Sequence, residues 1–175
     1  MGIPDSLRVT TFNRQRKIGV DRVALQQVVH CAVSALEGEA HAKGVVSLVL
    51  VSDRRIQQLN RDFAGINEPT DVLSFSAREG GAVLPGDEED LGDIFVSVET
   101  ASRQVGRKDR RGHPRTESLM EEVALLFVHG VLHLLGYDHA EAVQAREMLA
   151  CEQVIMVQVR AETEALPGST RPTKV

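Results

Sequence analysis

The sequence predicts an α+β fold in which a small mixed β-sheet packs against about five helices. Residues Val45 to Val51 are almost all β-branched or Leu, which is typical of a buried strand. Leu25 to Leu36 instead carries its apolar residues at the spacing of an amphipathic helix. Because helices do not separate every pair of predicted strands, this class is favoured over a doubly wound sheet.

The composition limits the kind of protein this chain can be. Its 175 residues, 42% of them apolar, are enough for one globular domain, which we place at residues 1–165. Residues 166–175 are rich in Pro, Gly, Ser and Thr, and we expect a disordered tail. A net charge of -5 argues against general coating of nucleic acid. With no membrane-span or signal-peptide pattern, we expect a soluble cytoplasmic protein whose Cys31 and Cys151 stay reduced.

The N-terminal half predicts three strands and two helices. Leu7 to Phe12 and Asp71 to Phe75 predict the strands on either side of the Val45 run. Asp21 is the predicted N-cap of the first helix, and Ser52 that of the second. The first helix has an apolar stripe of Leu25, Val28, Val29, Ala32 and Leu36, and the second carries Ile56, Leu59 and Phe63 on one face and is stopped by Pro69.

The C-terminal half predicts one strand and three helices. Ala77 to Gly92 is rich in Gly and acidic residues, which predicts an exposed loop. Ile94 to Val98 predicts a strand and Glu99 to Val105 a short helix. Ser118 and Glu121 match a capping box, which predicts the start of a long apolar helix that continues to Leu135. The last helix is predicted from Glu141 to Glu162, with Ala145, Met148, Leu149, Ile155 and Val159 on one face.

Three histidines near the end of the long apolar helix predict a metal site. His129 and His133 are four residues apart, so a helix presents both imidazoles on one face. Gly136 predicts a left-handed cap that reverses the chain, which allows His139 to return toward the other two. Any one of these histidines could be an ordinary core residue, but neutral imidazoles buried among apolar residues need partners for their nitrogens. Three imidazoles with an open fourth position are typical of a catalytic zinc ion.

The residue after the first histidine argues against a peptidase. The spacing is that of the metzincin protease helix, in which a Glu follows the first histidine and acts as the general base. Gly130 takes that position here, and glycine cannot accept a proton. The sequence therefore keeps the metal ligands and lacks the protease base.

Three sequence blocks resemble one known family. The segment His129-Gly-Val-Leu-His-Leu-Leu-Gly-Tyr-Asp-His139 is similar to the signature of the YbeY family of bacterial rRNA maturation endoribonucleases. Two further blocks resemble that family, namely Leu59-Asn60 with Pro69 to Phe75, and Gly92 to Ile94 with Ser97 to Ala101. The resemblance implies an α+β fold, one Zn²⁺ ion on the three histidines, and RNA cleavage in the maturation and quality control of the small ribosomal subunit. RNA and the ribosome or its proteins are the implied partners.

One position departs from the family pattern. Many members have an Arg directly after the aromatic residue of the second block, but here Phe63 is followed by Ala64. Arg61 lies three residues earlier and is a candidate replacement on a nearby side of the helix. Apart from Arg61, no catalytic side chain is predicted. The other catalytic group would be the water that the metal binds.

A basic segment before the long apolar helix is the candidate RNA contact. Its residues can hold phosphates, although many such runs are only solvated surface, and no aromatic residues are interleaved for base stacking. The candidates are Arg103, Arg107, Lys108, Arg110, Arg111 and Arg115, opposed only by Asp109.

Three functions remain open from the sequence. The first is metal-assisted cleavage of RNA, with either water or the RNA 2′-hydroxyl as the attacking group. The second is a metallohydrolase with another substrate, such as a peptide. The third is a ribosome-associated factor in which the zinc is mainly structural.

Overall fold

The computed structural model describes residues 6–77, 90–107, 116–137 and 141–165. The strands are β1 (Leu7–Asn13), β2 (Gly44–Val51), β3 (Val72–Ser76) and β4 (Asp90–Ser97). The helices are α1 (Arg22–Glu39), α2 (Asp53–Ala64), α3 (Val98–Gln104), α4 (Leu119–Leu134) and α5 (Ala142–Ala165). Within these ranges the α+β prediction is confirmed.

The described strands form one mixed sheet in the order β1-β2-β4-β3. β1, β2 and β4 are parallel, and β3 pairs antiparallel with β4 at one edge. In this register Val49 of β2 lies between Phe12 and Phe95 of the neighbouring strands. The parallel pair β1–β2 is joined through α1, as parallel strands require a long crossover.

The core lies between one face of this sheet and the helices α1 and α4. Alternate residues of β2 point into it, and Val46, Leu48 and Leu50 are all fully buried. α4 is apolar nearly all round, which suits a helix covered by the sheet, α1, α3 and α5. No helix in the described part of the chain has the length and apolar character needed to cross a membrane.

The three predicted N-cap residues are confirmed, with one difference in the capping box. The side chains of Asp21, Ser52 and Ser118 each accept a hydrogen bond from a backbone N–H in the first turn of the following helix. The capping box predicts that Glu121 reaches back to the N–H of Ser118, but its carboxylate accepts from the N–H of Glu117 at 2.6 Å instead. The same side chain also pairs with Arg160 of α5, which ties the start of α4 to the last helix.

Three predicted boundaries or faces are wrong. The predicted loop from Ala77 to Gly92 overlaps β4, which begins at Asp90 because pairing with β2 and β3 extends the strand. Val98 belongs to α3 and not to the preceding strand, because Ser97 caps that helix by accepting from the N–H of Thr100. Phe63 is 71% exposed and, instead of joining the core, it packs edge to face against Phe75.

The last helix differs from its predicted apolar face. Its buried residues include Met148, Ile155 and Val159 as expected, whereas Ala145 and Leu149 are only partly buried. The buried face also contains Met156 and Glu152. The predicted tail, residues 166–175, lies outside the described residues, and the single domain over residues 1–165 stays a prediction.

A network of hydrogen bonds joins the starts of α2 and α3. The Asp53 carboxylate accepts from the hydroxyls of Ser97 at 2.5 Å and Thr100 at 2.7 Å, and from Arg103 at 2.8 Å. In return, Glu99 accepts from the backbone N–H of Asp53 at 2.9 Å. Burial opposes ionisation of the Asp53 carboxyl, but these three donors together lower its pKa below the ordinary value.

This network predicts a loss of stability in acid. Because the pKa of Asp53 is lower in the folded than in the unfolded chain, its contribution to the free energy of unfolding is present above the unfolded pKa, about 3.9, and is lost as the pH falls through the folded pKa. Asp53→Asn should therefore reduce the drop in unfolding free energy between about pH 5 and pH 2 in urea titrations, and Ser97→Ala should reduce it less. A pH dependence of Asp53→Asn equal to that of the wild type would contradict this role.

Candidate metal centre

Helix α4 and the turn after it position the two described histidines of the predicted site. His129 and His133 lie one turn apart near the end of α4. The helix ends at Leu134, and Gly136, just after the cap residue Leu135, has a φ of 95°, which is in the left-handed region predicted for this residue. The N–H of Gly136 donates to the carbonyl of His133, and that of Tyr137 to the carbonyl of Leu132, which is the Schellman pattern of a helix end.

The His129 ring is held from behind by a carboxylate. Its Nδ1 lies 2.5 Å from Oε1 of Glu152 on α5. His129 is 7% exposed and Glu152 is 0% exposed. Because a carboxylate accepts hydrogen bonds, Nδ1 carries the ring proton and donates it to Glu152. The lone pair of the neutral ring is then on Nε2.

The His133 ring is held in the same sense by the backbone. Its Nδ1 lies 3.0 Å from the carbonyl oxygen of Tyr137, which can only accept. Nδ1 of His133 therefore donates, and Nε2 again carries the lone pair. The turn at Gly136 brings this carbonyl under the ring, so the same turn that ends the helix also sets the tautomer.

The two Nε2 atoms point at each other across 3.1 Å, with the ring planes at 81°. Two lone pairs at this distance repel unless a proton or a metal ion lies between or beside them. Nitrogen ligands of one tetrahedral zinc ion, each about 2.0–2.1 Å from the metal, lie about 3.3 Å apart. This separation, with the lone pairs assigned to both Nε2 atoms, is compatible with two positions of a tetrahedral zinc site. A carboxylate that accepts from the ring of a metal-binding histidine is common in such sites, and Glu152 lies at that position behind His129.

The third predicted ligand, His139, lies outside the described residues. Among the residues that the structure describes, no group of three or more His, Cys, Asp or Glu side chains forms a metal site. The described part therefore contains two converging imidazoles of the three-histidine prediction. Cys31 is buried and Cys151 partly buried, and burial raises the pKa of both thiols.

Gly130 lies against the sheet and not in the space between the histidines. A Cβ atom at this position would lie 2.8 and 2.9 Å from two methyl carbons of Ile94 and 3.0 Å from the hydroxyl of Ser74. Contacts this short are not tolerated in a packed interior. Glycine is thus required here by the close approach of α4 to β3 and β4, which is a physical reason for the missing protease glutamate.

The described basic candidates occupy α2, α3 and the end of α3. Arg61 is exposed on α2, and its Nε lies 3.0 Å from the carboxylate of Asp62. Arg103 is on α3, where its guanidinium is engaged with Asp53 and Thr100. Arg107 is exposed just beyond α3, and α3 packs against α4. The remaining candidates lie outside the described residues, namely Lys108, Arg110, Arg111 and Arg115.

Sequence comparisons decide the family. The family model described as Endoribonuclease YbeY matches residues 10–160. The chain belongs to the endoribonuclease YbeY family. A protein named Endoribonuclease YbeY from Pelotomaculum thermopropionicum is 41% identical over 150 residues, which cover 85% of this chain and 94% of that protein. A protein of the same name from Moorella thermoacetica is 44% identical over 147 residues, covering 81% and 89% of the two chains.

The chain also shares its fold with one solved structure over nearly its whole length. The solution structure of a Thermotoga maritima protein matches with a TM-score of 0.57 at 25% sequence identity. The match covers 97% of this chain and 99% of the other. The family model and the named relatives confirm, over most of the chain, the resemblance found in the three sequence blocks.

One residue at this YbeY site was missed by the sequence interpretation. Glu152 stands on the buried face of α5, four residues after Met148 and three before Ile155. That spacing already places a carboxylate in an apolar stripe, where it requires a partner. The signal was therefore present in the sequence, but which partner it had depended on how α5 packs against α4.

Proposed function

We propose that this protein is a metal-dependent endoribonuclease that cleaves ribosomal RNA in the cytoplasm, using one zinc ion bound by His129, His133 and His139. The observation that carries the proposal is the pair of Nε2 atoms 3.1 Å apart, each on a ring whose Nδ1 has an acceptor. Membership of the YbeY family supports RNA as the substrate, since relatives of this chain are named endoribonucleases. Ribosomal RNA and the ribosome as partner follow from the sequence resemblance.

The proposed chemistry does not require a side-chain base beside the metal. A zinc ion held by these histidines would lower the pKa of a bound water to about 7 and would offset negative charge on a phosphate. The protein's own part is to direct the Nε2 atoms of both imidazoles toward the ion. Glu152 and the carbonyl of Tyr137 do this by accepting hydrogen bonds from the Nδ1 atoms.

Basic residues would hold the RNA backbone beside the site. Arg107 is exposed at the end of α3, next to the segment that contains the other basic candidates. Arg103 offers less, because part of its guanidinium is already bound by Asp53. Arg61, exposed on α2, is a candidate replacement for the arginine that many family members have where this chain has Ala64. Unchanged RNA cleavage by Arg61→Ala would exclude this role.

The close packing around Gly130 argues against peptidase activity, because a glutamate side chain that could act as the general base does not fit at this position. A ribosome-associated factor with a mainly structural zinc is the second candidate, and Ala64 in place of Arg is the observation in its favour. The two candidates differ in whether the pure protein cuts RNA.

The test is cleavage of purified ribosomal RNA by the zinc-loaded protein, by the protein after chelator treatment, and by the chelated protein given zinc again. The proposal predicts cleavage that the chelator stops and zinc restores. Product ends then identify the attacking group, because a 2′,3′-cyclic phosphate indicates the RNA 2′-hydroxyl, whereas a 3′-hydroxyl with a 5′-phosphate indicates water. No cleavage in any sample, or cleavage that the chelator leaves unchanged, would contradict the proposal and favour the ribosome-associated factor.

A further inference from the structure

We propose that Glu152 is the positioning residue of the metal centre, because its carboxylate fixes the ring orientation and the tautomer of His129. The proposal rests on the proposed metal site and deepens it. Glu152 itself would not touch the metal through Oε1, which is engaged 2.5 Å from Nδ1 of His129. It acts through the histidine, so it is a positioning and not a catalytic residue.

The burial of Glu152 indicates a specific role for its carboxylate. The residue is 0% exposed and lies in a face of α5 with Met148, Ile155 and Met156, which are also buried. Taking a carboxylate out of water is unfavourable unless hydrogen bonds and a compensating charge are supplied. Apolar residues of similar size would pack here at lower cost. A metal ion bound to the far side of the His129 ring would supply the compensating charge through the imidazole.

The hydrogen bond selects one of the states available to the His129 ring. A neutral imidazole has two tautomers, and the ring can also be turned over about its Cβ–Cγ bond. Only the tautomer with the proton on Nδ1, in the observed orientation, both donates to Glu152 and directs the Nε2 lone pair toward His133. The other tautomer would place a proton where the metal has to bind. Loss of the acceptor would therefore leave the metal to compete with that proton.

Contacts along α5 hold Glu152 in place. Tyr137, in the turn that supports His133, forms a side-chain hydrogen bond with Cys151, the residue before Glu152. Farther along, Arg160 pairs with Glu121 at the start of α4. These contacts hold α5 along α4, so the carboxylate cannot move away from the ring without repacking the core.

His133 provides an internal comparison. Its Nδ1 is held by a backbone carbonyl, which no side-chain substitution removes. Of the two supports, only that of His129 can be removed by changing one side chain. Substitution of Glu152 is therefore expected to change the His129 ring and to leave the support of the His133 ring in place.

The test uses Glu152→Met, which removes the acceptor, and Glu152→Gln, which keeps an amide acceptor without the charge. Glu147→Met, at an exposed position of the same helix, is the matched control. Long-range ¹H–¹⁵N spectra of the metal-free proteins at about pH 8, above the ordinary histidine pKa of about 6.5, report the tautomer of His129. Competition with a chromophoric chelator gives the zinc dissociation constant of each protein.

The proposal predicts the Nδ1–H tautomer in the wild type and the control, and a large Nε2–H population in Glu152→Met. Zinc affinity should fall by about 10–100-fold in Glu152→Met, less in Glu152→Gln, and not in the control. If Glu152→Met is folded, keeps the wild-type tautomer and binds zinc as tightly as the wild type, the positioning role is wrong while the metal site stands. If the wild type binds no zinc, both the proposed function and the positioning role are wrong. If Glu152→Met does not fold, the same criteria apply to Glu152→Gln.

Discussion

His133→Ala should lose zinc binding and RNA cleavage together while the protein stays folded. The substitution removes one of the two converging Nε2 atoms, and the remaining imidazole of His129 cannot hold the ion at the same place. We expect zinc affinity and cleavage rate to fall by more than about 100-fold, since loss of an outer-shell partner alone costs about 10–100-fold. The side chain is only partly buried, and its hydrogen bond to the carbonyl of Tyr137 is worth about 1 kcal/mol. The free energy of unfolding should therefore change little.

The matched control for this prediction is His30→Ala. His30 is exposed on α1, so its loss should leave zinc affinity, cleavage and stability unchanged. Zinc titration, a cleavage assay and urea denaturation of the three proteins check the prediction. If His133→Ala retained wild-type cleavage, the histidine pair would not be the reaction centre.

Gly130→Glu should unfold the protein and should not create a peptidase. The Cβ atom alone collides with two methyl carbons of Ile94 and with the hydroxyl of Ser74. Ile94 is fully buried and β-branched, so it cannot turn aside without disturbing the sheet. The glutamate would also bring a carboxylate into this packed layer. Together these effects should cost more than about 4–5 kcal/mol, which is the range of severe core substitutions.

Alanine substitutions separate packing from helix propensity. Gly130→Ala should lower the free energy of unfolding by about 1–3 kcal/mol, because an added methyl group overpacks the core. Gly38 lies in α1, where an added Cβ would have open space around it. Gly38→Ala should therefore raise the free energy of unfolding by up to about 1 kcal/mol. Urea denaturation curves measure both changes. Equal effects of the two substitutions would contradict the close approach at Gly130.

The features that sequence predicts well are those fixed within a few residues. Asp21, Ser52 and Ser118 cap helices because a short polar side chain before an apolar stripe satisfies the first N–H groups in any tertiary setting. Gly136 is predictable for the same kind of reason, since a left-handed helix end favours glycine. Neither feature depends on what the helix packs against.

The features that sequence predicts poorly depend on distant partners. β4 begins at Asp90, before the predicted start, because β2 and β3 supply hydrogen-bond partners that outweigh local loop preferences. Phe63 follows the apolar spacing of α2 but meets another aromatic side chain and remains largely exposed. The capping box fails in its second half because Glu121 bonds to Glu117 and Arg160.

The candidate site shows the same division. The i, i+4 spacing of His129 and His133 is local, so their convergence follows from helix geometry alone. Glu152 is 23 residues from its histidine in sequence, and only the packing of α5 on α4 brings the two together. The sequence indicates only that a protease base is absent at Gly130, because the packing role of this residue depends on Ile94 and Ser74 in the sheet.

The most direct test of a zinc ion bound by the α4 histidines is the zinc K-edge X-ray absorption spectrum of the wild type loaded with one equivalent of zinc. We expect a first shell of nitrogen and oxygen atoms alone, about four in number at about 2.0–2.1 Å, with the outer-shell scattering of three imidazoles. A first shell containing sulfur at about 2.3 Å, or a spectrum of hydrated zinc without imidazole scattering, would contradict it.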